Sequence, residues 1–348
     1  MKRLFSLGII LLLFSAFMMA GCSIGDEKKP VVSYYLYVTS KTSNTVTAYS
    51  IGSNGAIALI DSISTGPSPS AIAVDPTGKH VYVGASSNIT SFSIGSNGAL
   101  TAINAALLGN ATAIDIDPSG KYVYVTDDVY DKIYTFNLRA DGGFTGTSAN
   151  SSLDTGSDPS AITVDSTGKH LYVGNPNTVI SYSIGANSAL TAINAALVGN
   201  ATGIAVEPSC KYVYAADYEY SQILAFTLRA DGGFSGVTAN SSLNSGPNPR
   251  AIAVHPGGKY VYLGTATNVT AYSIGSNGAL GAINAGLAAN AVSVAVHPNR
   301  KYVYAANYND DSISGFNIGV NGGLTSFGTY PVCNDPSAIA IARVITSN

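Results

Sequence analysis

Ala71-Ile72-Ala73-Val74-Asp75-Pro76-Thr77-Gly78-Lys79-His80-Val81-Tyr82-Val83 decides the fold, because the chain repeats it. Close copies begin at Ala113, Ala161, Gly203, Ala251 and Ser293. A truncated one, Ala338-Ile339-Ala340-Ile341-Ala342, follows. Successive starts lie 42, 48, 42, 48, 42 and 45 residues apart. That is the spacing of propeller blades, in which each repeat is one supersecondary unit unable to bury its faces alone.

Within the first complete unit the pattern predicts four strands. Ala71–Asp75 is strand a, His80–Val83 strand b, Ile89–Ile94 strand c and Ala99–Leu107 strand d. The c–d link, Gly95-Ser96-Asn97-Gly98, carries an Asn-Gly pair, which favours the positive-φ turn of a tight hairpin. Six further turns have the same chemistry, at Asn54-Gly55, Asp141-Gly142, Asn187-Ser188, Asp231-Gly232, Asn277-Gly278 and Asn321-Gly322. Seven turns imply seven blades of four antiparallel strands. The unit opening at Tyr35-Leu36-Tyr37-Val38 lacks a strand a, and Ala338–Ala342 supplies one, which would close the ring and remove its open edges. One tyrosine stands in each strand b (Tyr37, Tyr82, Tyr124, Tyr172, Tyr214, Tyr262, Tyr304) and reads as packing between blades.

A longer period overlies the blades: residues 71–160, 161–250 and 251–340 are three copies of a two-blade unit. Composition agrees with an all-β chain, with 37 Gly, 22 Tyr and only 11 % charged residues. The net charge is −3 with no basic stripe, which argues against nucleic acid.

Residues 1–21 read as a lipoprotein signal peptide. Lys2 and Arg3 precede an apolar run from Leu4 to Met19, and Met19-Ala20-Gly21-Cys22 resembles the bacterial lipobox, which would make Cys22 the lipid attachment. Residues 22–33 then form a tether, 34–344 the propeller and 345–348 a tail. Ser23 after the cysteine is the expected mark of sorting to the outer membrane. Cys210 and Cys333 fall on opposite faces of the predicted ring and are expected to stay free, since a disulfide needs Cα atoms within roughly 7 Å.

One residue per blade should guard the mouth of the central channel, just before each strand a: Ser70, Thr112, Ser160, Thr202, Arg250, Val292 and Ser337. Beside them the b–c loops of alternate blades carry acids, namely Asp127, Asp128 and Asp131, then Asp217 and Glu219, then Asp310 and Asp311. Arg250 stands out. Its guanidinium either holds a carboxylate or phosphate in a fork or pairs with Asp217 or Glu219. The candidate ligand-binding set is therefore Arg250, Thr202, Ser160, Thr112 and Asp217. No histidine partners a Ser or Cys nucleophile, no metal spacing occurs, and no cofactor is expected.

The repeat, including Tyr37-Val38-Thr39-Ser40 and Tyr124-Val125-Thr126-Asp127, resembles the YVTN-type propeller repeat and the seven-bladed lactonase family, which includes 6-phosphogluconolactonase and carboxymuconate cycloisomerase types. The likeness covers about residues 34–344. Gly246-Pro247-Asn248-Pro249-Arg250-Ala251 is similar to the family's Gly-x-Gly-Pro-Arg-His segment, which implies a substrate-binding role for Arg250. Elsewhere the polar site departs: the family's histidines are replaced by Thr202 and Ala251, and its glutamate would fall near Ala266. Opening a lactone needs a group that moves a proton. The expectation is accordingly a lipid-anchored envelope propeller that binds a protein, peptide or small anionic ligand at its mouth. The alternative is a lactone hydrolase acting on an exported sugar-acid lactone, with a base borrowed from Asp217 or Glu219.

Overall fold

The computed structural model describes residues 30–288 and 290–346. It is all-β, with two single-turn 3₁₀ segments at Ala186–Ser188 and Tyr308–Asp310. Among the described residues no helix is long and apolar enough to cross a membrane. Signal peptide, lipid attachment at Cys22 and most of the tether lie outside the described residues.

The predicted strands form within a residue or so of their expected ends: Ala71–Val74, His80–Gly84, Asn88–Ile94 and Leu100–Leu107 for the first complete unit. Strand pairing gives six hydrogen-bonded sheets, five of four strands and one of six, rather than seven separate ones. The six-stranded sheet arises where two neighbouring units fuse. The strand His170–Ile184 pairs with Ala161–Val164 through residues 171–174 and with Leu190–Val206 through residues 176–184. Leu190–Val206 in turn continues into Tyr212–Asp217 through residues 201–206. The cause is local. Asn175-Pro176-Asn177 stands where other units have Ala85-Ser86-Ser87 or Thr265-Ala266-Thr267. Proline holds itself and its predecessor extended, so Pro176 pairs across to Asn200 and bridges both loops.

Pro336–Thr346 pairs antiparallel with Val31–Ser40, from Val31↔Thr346 to Ser40↔Pro336. Its flanks pack on the inner strands Ala71–Val74 and Ala291–Val296. Ala111–Ile116 likewise contacts Ala71–Val74 on one side and Ala161–Val164 on the other.

The tyrosine stripe holds neighbouring units together. All seven rings are 0 % exposed. Six of the hydroxyls donate to the backbone carbonyl of a turn glycine on the adjacent unit, at 2.7–3.1 Å: Gly98, Gly142, Gly232, Gly278, Gly322 and, from Tyr304, Gly55. Each of those glycines has φ between 78° and 84°. There is also no room for a side chain: a Cβ on Gly98 would meet the Tyr35 ring at 2.2 Å.

The exception is Tyr124, whose buried hydroxyl has no partner. Its neighbouring turn is Ala186-Asn187-Ser188, the one turn without glycine, and there both Asn187 and Ser188 carry positive φ. A buried unpaired hydroxyl costs about 1–3 kcal/mol, and positive φ adds strain to any side-chain-bearing residue. Ser188→Gly is therefore expected to raise stability by about 1–2 kcal/mol, read as a higher urea midpoint with unchanged slope.

A second repeated device stiffens the a–b turns. Asp117 accepts the backbone N–H of Ser119, Lys121 and Tyr122 at 2.7–3.0 Å. Asp75, Asp165 and Glu207 act alike in their own turns. His297 holds the last such position through Nδ1, which accepts the Asn299 N–H at 3.0 Å.

Candidate functional site

All seven residues counted from the sequence line one cavity of about 850 Å³ at the end of the inner strands: Ser70, Thr112, Ser160, Thr202, Arg250, Val292 and Ser337. Five of them turn out to spend their hydroxyl protons on the fold. Thr112 donates to Pro159 O at 2.6 Å, Ser160 to Ala201 O at 2.8 Å, Thr202 to Pro249 O at 2.7 Å and Ser337 to Pro69 O at 2.6 Å. Ser70 donates to Ala111 O in the same manner. A hydroxyl has one proton to give, so these groups can only accept from a ligand. They are staples between neighbouring units first, which the sequence reading of a hydroxyl-rich mouth did not foresee.

Arg250 differs. It is exposed, and its guanidinium lies 5.6 Å from the ring centre of Tyr218, close enough for a cation–π contact. Among the described residues no carboxylate pairs with it. Local pairing with Asp217 or Glu219 does not occur. Lys41 is a second cation on the cavity wall.

Asp217 is not a wall residue. It is 1 % exposed, and its carboxylate accepts the backbone N–H of Gly199 at 2.8 Å and of Asn200 at 3.1 Å. Asp127 does the same for Gly109, Val129 and Tyr130 one unit pair earlier. Both acids hold loops in place, and Asp217 is removed from the set of ligand-facing groups. Its position explains this: a residue recurring every 90 positions on a b–c loop is held by the geometry common to the copies.

The carboxylate that does reach the cavity is Asp128, the next residue along. It is half-buried, and its Oδ1 accepts the Asn110 Nδ2 proton at 2.8 Å, which fixes its direction. The two later copies of this position are Tyr218 and Tyr308, also on the wall. The cavity thus gathers two cations unpaired among the described residues, one oriented carboxylate and two phenols around a wall of acceptors. It suits a small, polar, anionic molecule.

Deeper along the axis, Asp115 lies on the inner strand Ala111–Ile116. Its carboxylate accepts the N–H of Val164 on the neighbouring inner strand at 2.7 Å and that of Ile116 at 2.8 Å. Burial outweighs these bonds and raises its pKa to about 6. The histidines all sit at a–b turns on the face away from the cavity; His80 and His170 point Nδ1 at Asp75 and Asp165. Cys210 and Cys333 are both free thiols.

The sequence matches the family described as lactonase, seven-bladed β-propeller, over residues 32–114, 144–251 and 234–329. The chain belongs to this lactonase family. Solved structures agree on the fold. A protein from Bacteroides fragilis, provisionally assigned as a 6-phosphogluconolactonase, is 18 % identical, with 92 % of this chain and 99 % of that one covered at a TM-score of 0.78. Its counterpart from Bacteroides uniformis is 16 % identical, covering 89 % and 99 %, also at 0.78. The periplasmic gluconolactonase of Pseudomonas aeruginosa is 14 % identical, covering 90 % and 99 %, at 0.75. A search of curated protein sequences finds no match. Thr202, Ala251 and Ala266 stand where the resemblance implies proton-transfer groups, and Asp128 is the carboxylate on the cavity wall.

Proposed function

We propose that the chain is a lactone hydrolase acting on an anionic sugar-acid lactone in the mouth cavity. The observation carrying this reading is one cavity that unites the unpaired Arg250 with the oriented carboxylate of Asp128. We read the fused sheet as two blades, which makes a ring of seven with its inner strands around one axis and the cavity at their ends.

Arg250, braced by Tyr218, takes the substrate's carboxylate or phosphate, with Lys41 adding positive potential. Asp128 removes a proton from a water that attacks the lactone carbonyl carbon. The carbonyl–ring-oxygen bond then breaks, and the ring oxygen leaves as an alcohol after receiving that proton back. The products are the hydroxy acid and the regenerated carboxylate. Burial of Asp128 between Asn110 and the wall holds the base at a fixed angle without help from the missing histidines.

A panel of neutral and anionic lactones followed by acid release tests this. Turnover of the anionic members is expected, and Arg250→Ala should raise KM for them by roughly tenfold to hundredfold, the loss of one charge-assisted hydrogen-bond pair. Hydrolysis no faster than in buffer would sink the reading. A second reading, a non-enzymatic envelope propeller binding a peptide or protein at the same mouth, is favoured by the five hydroxyls already committed to the fold. On either reading we place the chain at the cell envelope, lipid-anchored through Cys22, with the outer membrane as its expected site.

A further inference from the structure

The face opposite the cavity carries a pattern that hydrolysis does not use. One lysine follows each complete a–b turn: Lys79, Lys121, Lys169, Lys211, Lys259 and Lys301. All six are exposed. Four of them are pinned at the backbone, because their N–H groups donate to the capping carboxylates of Asp75, Asp117, Asp165 and Glu207. Those caps are buried, so acid lies beneath this surface and ammonium groups stand on it. Among the described residues none of the six lysines forms an ion pair. The exposed acids of this face, Asp141 and Asp231, are each gripped in a fork by their own Arg139 and Arg229.

The mouth face carries more acid than base: Asp158, Glu219 and Asp310 are exposed there, Asp154 pairs with Lys132, and Lys41 and Arg250 are the cations on the cavity wall. The two faces are separated by the length of a blade strand, roughly 20 Å for six residues. That is more than twice the ~8 Å screening length at physiological salt. An anionic surface touching the lysines would therefore feel the lysines over their buried caps and little of the mouth-face acids.

A second feature sits on the same face. Where the other units turn, the ladder between Val31–Ser40 and Pro336–Thr346 runs on to Val31↔Thr346. Val31, Val32 and Ile345 are consequently 45 %, 38 % and 53 % exposed. An apolar prong beside a basic ring fits the boundary between charged headgroups and acyl chains; a phosphate backbone in water has no use for it.

We propose that this lysine-ringed face docks on an anionic lipid bilayer, with Val31, Val32 and Ile345 entering the headgroup region and the cavity opening away from the membrane. The docking goes beyond the hydrolase reading and does not depend on it. It does not depend on an acyl chain either.

Vesicle flotation tests this, using the chain from residue 22 onward with Cys22→Ser, which keeps every described residue and removes any acyl contribution. It should float with phosphatidylcholine vesicles containing about a third phosphatidylglycerol, and release when salt is raised severalfold. It should stay in solution with phosphatidylcholine alone. Each contacting lysine is worth about fivefold in affinity, so Lys79→Gln, Lys121→Gln and Lys169→Gln combined should weaken binding on the order of a hundredfold. Val31→Ser with Val32→Ser should weaken it while leaving the salt response intact. Lys132→Gln, on the mouth side, should change nothing. Equal flotation with both vesicle types, an equal loss from Lys132→Gln, or preference for soluble heparin or duplex DNA over the vesicles would each overturn the proposal. Docking without lactone turnover would remove the hydrolase reading alone.

Discussion

Asp128→Asn is expected to lower kcat by roughly a hundredfold to ten-thousandfold, the range for losing a positioned general base, while KM for an anionic lactone changes little. The asparagine keeps the shape and can still accept the Asn110 Nδ2 proton, so the 2.8 Å contact that orients the side chain survives. It cannot take a proton from water. Arg250→Ala should show the reverse pattern, with KM raised and kcat less affected, because the guanidinium grips the substrate in ground and transition state alike. Together the variants separate binding from proton transfer. An Asp128→Asn enzyme with unchanged kcat would assign the base elsewhere, and Tyr218 and Tyr308 are the other titratable groups on the wall that are not cations.

Acid stability should decline gently in the wild type, and two variants should expose the opposing contributions beneath that slope. His297 is 0 % exposed, with Nδ1 accepting from Asn299, Nε2 without a partner among the described residues, and its ring centroid 4.3 Å from that of Tyr34. Burial lowers its pKa from 6.5 to about 4. Between those values the unfolded chain binds a proton that the folded one refuses. The contribution of His297 is therefore complete above about pH 6.5 and is lost as pH falls toward 4, about 3 kcal/mol in all. Asp115 runs the other way. With its folded pKa raised to about 6, the folded state holds a proton between pH 3.8 and 6 that the unfolded chain releases. Its contribution is complete at the acid end and is lost as pH rises through 6. The residue keeps some exposure, and solvent screening holds the size to about 2 kcal/mol.

The two windows overlap and partly cancel, with His255, whose pKa burial also lowers, adding to the His297 side. Asp115→Asn should therefore give a protein whose urea midpoint climbs steadily from pH 4 to 6.5. His297→Asn, which places an acceptor where three other turns have aspartate, should give one whose midpoint falls over the same range. Asp75, held below its ordinary range because four hydrogen bonds outweigh burial, acts below this window. Parallel pH profiles for wild type and both variants would contradict the assignment.

The repeat made the strands legible because every copy carries the same turn chemistry: Asn-Gly at c–d links and an acid or histidine before the a–b turn. The mouth residues followed by counting, since register converts one position per copy into one position per inner strand. Two things escaped. The fusion at Pro176 and Asn200 depends on a pairing between loops that no single repeat contains. The role of each polar mouth residue depends on whether its proton is already spent, and that is a matter of which carbonyl the next unit brings up. The internal repeat held a usable signal nonetheless. Asp127, Asp217 and Asn307 keep a buried polar group in all three copies; the two carboxylates accept loop N–H groups and Asn307 donates through Nδ2 to Ser312 and Ser314. Ser70, Ser160 and Arg250 change across the copies, as do Asp128, Tyr218 and Tyr308, and the cavity's chemistry resides in those changes.

A crystal structure with the hydroxy-acid product of an anionic lactone bound tests the account most directly. The product's anionic group is expected on the Arg250 guanidinium, with its newly formed carboxylate carbon within one water of Asp128. Product bound on the lysine-ringed face, or in the cavity with Arg250 left without a partner, would contradict it.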